Sequence, residues 1–211
     1  MNNDSIETIN YKGFEIETFR DENASSPDEW ANDDCFLIYD HRDFNVKMKG
    51  FDPDEIFEHI QATKKLFFED YYVFPVYAYI HSGVSLSLSN SNYPFNDRWD
   101  VSFKGFALVK RQKGWTYQRK KAYKVAESVV SEWNQYLGGE VYGYTSNHGA
   151  CWGFYGEEGY KEMIDNAKSE IDYHIKNTTQ KQVSEHLSKL KEWIKAKVSM
   201  QYRSPLQINL I

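Results

Sequence analysis

Residues 11–19 (YKGFEIETF) alternate: Phe14, Ile16 and Thr18 point one way, Glu15, Glu17 and Phe19 the other. A two-residue period with one charged face predicts a half-buried, edge-like strand. Residues 35–39 (CFLIY) are an unbroken apolar run and predict a buried strand. Residues 72–80 (YVFPVYAYI) concentrate β-branched and aromatic side chains, and residues 85–88 alternate serine with leucine. With His81, Ser82 and Gly83 as the turn, these two segments pair, and residues 101–109 (VSFKGFALV) add a further strand of an antiparallel meander. Pro75 has no N–H to donate, so its strand lies at an edge there or carries a bulge.

Helical spacing appears elsewhere. Asp52-Pro53-Asp54-Glu55 combines an N-cap, a proline at the first helical position and a capping-box glutamate. Ile56, Ile60, Thr63 and Phe67 continue it as a stripe toward Asp70. Residues 116–137 place Ala122, Val125, Ala126, Val129, Val130, Trp133 and Leu137 on one face, and Gly138-Gly139 provides the stop. Residues 141–144 and 151–155 predict a hairpin around Ser146-Asn147-His148-Gly149, with Gly149 available for a positive φ. Tyr160, Met163, Ile164, Ala167, Ile171 and Ile175 predict another helix. A last one opens with the capping box Thr179–Gln182, followed by a narrow seam of Val183, Leu187, Leu190, Ile194 and Lys197. Such a seam suits light packing on the body or pairing with another chain. The expected architecture is α+β: a twisted antiparallel sheet covered by three helices, with an additional C-terminal helix. An α+β domain would span 1–176, and a helical appendage and tail 177–211.

A chain of 211 residues can bury about 70% of its unfolded surface without a disulfide or metal staple. Its two cysteines, Cys35 and Cys151, fit a reducing compartment. The first ten residues lack the basic and apolar regions of a signal peptide, and no apolar run reaches the roughly 18 residues of a membrane span. A cytoplasmic protein without membrane contact is therefore expected. Charge divides unevenly. Residues 1–100 carry 8 Lys and Arg against 20 Asp and Glu, whereas residues 101–211 carry 17 against 11. Either the halves pack together and mingle their charges, or one of them meets a charged partner.

No acid occurs between Asp100 and Glu127, and this stretch holds Lys104, Lys110, Arg111, Lys113, Arg119, Lys120, Lys121 and Lys124, with Trp115 and Tyr117 among them. Cations at a helix N-terminus oppose its dipole, so helix stability does not explain them. Cations interleaved with flat aromatics suit a phosphate backbone and its bases, or an acidic protein surface; a solvated face is the other reading. Asp21, Glu22, Asp28, Glu29, Asp33 and Asp34 form an acidic loop that either imitates phosphates toward a basic groove or only solubilises the chain. Catalytic signals are weak. His148 and Cys151 straddle a turn, and a Cys–His pair can activate a thiolate, yet no third residue orients them. Asp40, His41 and Asp43 lack the spacing of a metal site. No phosphate loop or dinucleotide fingerprint occurs, so neither cofactor nor metal is expected.

Several segments are specific enough to carry a resemblance: residues 28–30 (DEW), 76–86 (VYAYIHSGVSL), 99–100 (WD), 132–144 (EWNQYLGGEVYGY) and 151–156 (CWGFYG). They resemble a family of uncharacterised proteins from bacteriophages and integrated mobile elements, over residues 11 to about 172. The resemblance implies a context, not a residue-by-residue activity. The expected function is a phage-derived anti-defence protein, an inhibitor of the anti-CRISPR type, acting without catalysis in the bacterial cytoplasm. Its partner would be a nucleic-acid-guided defence effector such as a Cas ribonucleoprotein, with contact to protein, RNA or both. The alternatives are a phage accessory nucleic-acid-binding protein and a small hydrolase using His148 or Cys151. Oligomeric state is left open.

Overall fold

The computed structural model describes residues 5–30, 33–81, 83–88, 101–112 and 119–197, without the side chains of 101–104. The chain is α+β, and the described residues form two antiparallel sheets and three α-helices. The first sheet joins β1 (Glu7–Tyr11), β2 (Phe14–Arg20), β9 (Val141–Ser146) and β10 (Gly149–Tyr155) in that order. The second runs β4 (Phe44–Val46), β3 (Cys35–His41), β8 (Val101–Lys110), β6 (Tyr71–Ile80) and β5 (Phe67–Phe68), with β7 (Val84–Leu88) paired to β6 beside β5. The helices are α1 (Pro53–Thr63), α2 (Arg119–Leu137) and α3 (Gly156–Lys197).

The apolar runs of the larger sheet follow from its burial on both faces. Leu37, Tyr39, Phe74, Val76, Ala107 and Val109 pack under α2 against Ala122, Ala126, Val130 and Trp133. Their sequence neighbours Phe36, Ile38, Val73, Phe106 and Leu108 face the opposite way, toward Ile56 of α1. A two-residue period with both phases apolar is what a sheet between two helices needs. The smaller sheet has one buried face: Ile16 and Tyr144 pack on Met163, Ala167 and Ile171 of α3, while Glu15 and Glu17 stay exposed. Its alternation was legible for that reason.

Several elements depart from the sequence reading. The strands are not a single meander, because β8 lies between β3 and β6, and β7 is an outer strand among the described residues. The segment 11–19 is the turn and second strand of a hairpin with β1, closed at Lys12-Gly13 with φ of 52° and 86°. Asp52 caps α1 as expected, its carboxylate accepting from Asp54 N and Glu55 N. That helix stops at Lys64, whose φ of 57° turns the chain left-handed, so Phe67 belongs to a strand. Gly149 has no positive φ; it lies close under the Glu170 carboxylate, where a Cβ would come 2.5 Å from Oε2 and push that flexible side chain aside. The two C-terminal helices are one 42-residue helix, continuous through Lys176 and Asn177. Its three-to-four spacing of apolar residues changes phase where the body ends, which reads as a boundary although the backbone never breaks.

Pro75 sits in a gap. On the side away from β8, β5 pairs with Tyr71 and Tyr72, and β7 resumes pairing at Val76. Arg119, the first residue of α2, fills the opening. Its guanidinium donates to Leu66 O at 2.9 Å and Val73 O at 3.0 Å and lies 4.5 Å from the Phe74 ring centroid. Further along α2, the Asn134 amide accepts from Leu86 N at 2.7 Å and donates to Leu86 O at 2.9 Å, covering the outer edge of β7. Replacing Arg119 leaves Val73 O without its donor beneath the helix and Leu66 O with only its bond from Val73 N at 3.2 Å. Arg119→Met is expected to lower stability by about 1–3 kcal/mol, read as a fall in the urea midpoint without change of slope, with Arg119→Lys recovering less than half of the loss.

Candidate functional site: an acidic-aromatic cleft beside a cationic helix start

Tyr155 and Trp152 of β10, Glu132 of α2 and the loop after β2 enclose an open cleft of about 680 Å³, lined by Asp21, Glu22, Trp30, Glu132, Trp152 and Tyr155. Local sequence explains each placement. Pro27 starts a short 3-10 turn, residues Pro27–Glu29, that delivers Trp30 to the opening. Trp30 is 45% exposed, donates from Nε1 to Glu132 Oε1 at 3.3 Å, and meets the Tyr155 ring edge-on at 5.4 Å. Tyr155 OH donates to Ser25 O at 2.5 Å, tying the loop to the sheet. Asp21 N is held by Val141 O at 2.8 Å. Trp30 and Glu132 also border a smaller recess of about 200 Å³ toward Cys35, so the indole is a partition between two hollows.

Trp152 owes its outward position to two glycines. It pairs across from Gly143, where a Cβ would be only 2.1 Å from the indole. After it the register shifts between Trp152 and Phe154, with Gly153 at φ 86°. This bulge leaves Trp152 44% exposed at the cleft wall and returns Phe154 to the α3 side. The charged residues lining the cleft, Asp21, Glu22 and Glu132, are all acidic. Burial, with help from Glu132, Tyr136, Asp21 and Glu29, pushes the Tyr155 phenol up to about 12. Carboxylates beside two indoles and a phenol make a receptor for a cation with a flat or apolar stem.

The cationic stretch divides into three parts. Arg119 is an internal clamp whose burial lowers its pKa, so its expected role in partner contact is replaced by a structural one. Lys110 approaches Asp34 at 3.9 Å, and Arg111 lies over Phe67 and Tyr72 at 5.5 and 5.8 Å with its N–H on Asp70 O. These two are held against the protein's own surface. Lys120, Lys121 and Lys124 are exposed on α2, and no carboxylate among the described residues pairs with them. The Lys104 side chain, and Lys113 and Trp115 entirely, lie outside the described residues.

The acidic loop divides similarly. Asp21 and Glu22 line the cleft, and Asp28 and Glu29 are exposed beside it. Asp33 and Asp34 instead meet the larger sheet, where Asp33 O accepts from Tyr71 OH at 2.8 Å and Asp34 O from Lys110 N at 2.8 Å. The sequence reading missed Glu132, Trp152 and Tyr155 as members of a site. A tryptophan flanked by two small residues in a strand that is otherwise core-like was the available signal.

His148 stacks on His174 at 3.6 Å and meets Phe14 edge-on at 4.7 Å. Cys151 packs toward the Tyr144 and Met163 cluster, and no hydrogen bond joins it to His148. Among the described residues no group of His, Cys, Asp and Glu has the placement of a metal site, and no helix is long and apolar enough to cross a membrane. Comparison with family models, with curated proteins and with solved structures returns no match.

Burial, with smaller contributions from Glu132 and Asp34, pushes the Cys35 thiol from 9.0 up to about 12. At pH 8 its thiolate fraction is then about a thousandfold below that of an ordinary cysteine, so iodoacetamide should leave Cys35 unmodified in the native protein, read by peptide mass spectrometry. The folded pKa lies above the unfolded one. Its contribution to stability is therefore intact below pH 9 and lost as pH rises toward 12. Cys35→Ala should flatten the fall of the thermal midpoint across that interval.

Proposed function

We propose that this chain is a non-catalytic binding protein that engages a ribonucleoprotein, in the role of a phage-derived inhibitor of a nucleic-acid-guided defence effector. The observation that carries the reading is the layout of α2. Lys121, Lys124, Ser128 and Glu132 follow one another on its exposed side, opposite the buried Ala122, Ala126 and Trp133. Lysines with no carboxylate partner among the described residues therefore lie about 17 Å along the same helix face from the acidic-aromatic cleft. A ribonucleoprotein offers the complement: phosphates next to the Arg and Lys side chains that hold them. Lysines at the helix start meet phosphate, and the cleft takes a basic side chain of the protein. Three of the segments behind the resemblance to phage and mobile-element proteins, residues 28–30, 132–144 and 151–156, converge on this cleft, which supports the context as well as the site.

The test is inhibition of purified guide-RNA effectors by the purified chain. Inhibition should saturate near stoichiometric amounts. Lys120→Glu/Lys121→Glu/Lys124→Glu should weaken binding at least about tenfold and flatten its salt dependence by about one unit of slope per lysine that meets phosphate. Trp30→Ala/Trp152→Ala should cost about 2 kcal/mol or more of binding while leaving the salt slope unchanged. Arg119 is left untouched because its loss would weaken the seat of α2 and mix a stability effect into the binding readout. Inhibition at sub-stoichiometric amounts, abolished by Cys151→Ala, would replace this reading with the hydrolase. Tight binding to free RNA without any effector would replace it with a nucleic-acid-binding accessory.

A further inference from the structure

Beyond Ile175, α3 leaves the body. Every residue from 176 to 193 is exposed, and the helix runs on to Lys197, so the arm from Lys176 is about 33 Å long. Its large apolar residues are left largely open: Val183 is 54% exposed, Leu187 39%, Leu190 40% and Trp193 59%, with Ile194 half-buried. Val183, Leu187, Leu190 and Ile194 step by four, three and four residues, the seam of a two-helix coiled coil.

We infer that this arm pairs antiparallel with the arm of a second copy of the chain. Charge selects the occupant. The arm carries six lysines (Lys176, Lys181, Lys189, Lys191, Lys195 and Lys197) against Glu185 and Glu192, a net of +4. Residues 1–175 carry 18 Lys and Arg against 29 Asp and Glu, a net of −11. Each chain thus owns a cationic helix and an acidic body that complement the same two features of its twin. Charge also selects the orientation. Parallel arms would set two bodies of −11 side by side. Antiparallel arms hold them an arm's length apart, several times the screening distance of about 8 Å, and bring the lysines of residues 189–197 toward the partner's body.

The seam accepts that arrangement. It is symmetric about the midpoint of Ser188 and Lys189, so Val183 meets Ile194 of the partner subunit and Leu187 meets Leu190 of the partner subunit. On the flanks Trp193 comes beside the partner's His186 and Lys191 beside the partner's Ser184, so no like charges oppose across the interface. This pairing is independent of the cleft and of the α2 lysines.

Light scattering of the full chain after gel filtration, over a concentration series, reads the state directly. The expected mass moves from 24.9 kDa toward twice that value with rising concentration. Leu187→Glu/Leu190→Glu should hold it at the lower value with an unchanged circular dichroism spectrum, because neither side chain touches the body. Orientation is read by mixing Val183→Cys chains with Ile194→Cys chains under oxidation: the mixture should form a covalent dimer, and Val183→Cys alone should not. A monomer at all concentrations, including one that instead binds anionic vesicles, overturns the proposal. So does a dimer that survives Leu187→Glu/Leu190→Glu, and cross-linking by Val183→Cys alone overturns the orientation.

Discussion

The Arg119 guanidinium, set in the gap between β5 and β7 above Phe74, determines where α2 can lie, and α2 carries almost everything the surface has to offer. A strand containing proline cannot be paired continuously on both sides, so the larger sheet has a place where carbonyls face outward. Burying those carbonyls under a helix without a donor would be costly. An arginine suits the place because one planar group reaches both Leu66 O and Val73 O while its face rests on an aromatic ring. The helix is thereby fixed at its start, and Trp133 and Asn134 fix it near its end. Between them, the exposed side cannot rotate, and lysines and Glu132 keep a constant relation to the neighbouring loop and to β10.

Legibility followed periodicity. The strands of the larger sheet announced themselves as apolar runs, and α1 as a proline-led capping sequence, because both signals are local. What the residues did not disclose was pairing order. Nothing in residues 101–109 distinguishes a strand that continues a hairpin from one inserted between β3 and β6, since both environments demand the same apolar alternation. The end of α1 was obscured because Phe67 continues the helical stripe by coincidence; the left-handed Lys64 breaks the helix with no glycine to mark it. At the C-terminus the capping box at Thr179 is real as a pattern and unused as a cap.

The surface was legible in charge and not in geometry. An acid-free stretch of 26 residues is visible in the sequence, but whether each cation faces outward depends on the shape around it. Arg111 and Arg119 rest on rings contributed by β5 and β6, over forty residues earlier in two cases, and their partners are backbone carbonyls that any residue carries. The cleft was hidden for a related reason. Its walls come from the β2–β3 loop, the middle of α2 and a bulged strand, and the small residue that matters most to it, Gly143, acts by what it lacks. Without that glycine the indole of Trp152 would have no seat on the sheet, and the carboxylates of Asp21 and Glu132 would face open solvent instead of an aromatic wall.

Asn134 has a consequence that reaches past this molecule. Among the described residues β7 is an outermost strand, and such a strand ordinarily presents a template on which another extended chain can add, the first event in runaway cross-strand polymerisation. By offering its own amide to both main-chain groups of Leu86, the helix supplies a counterfeit neighbour of a single residue, and an incoming strand is denied that position.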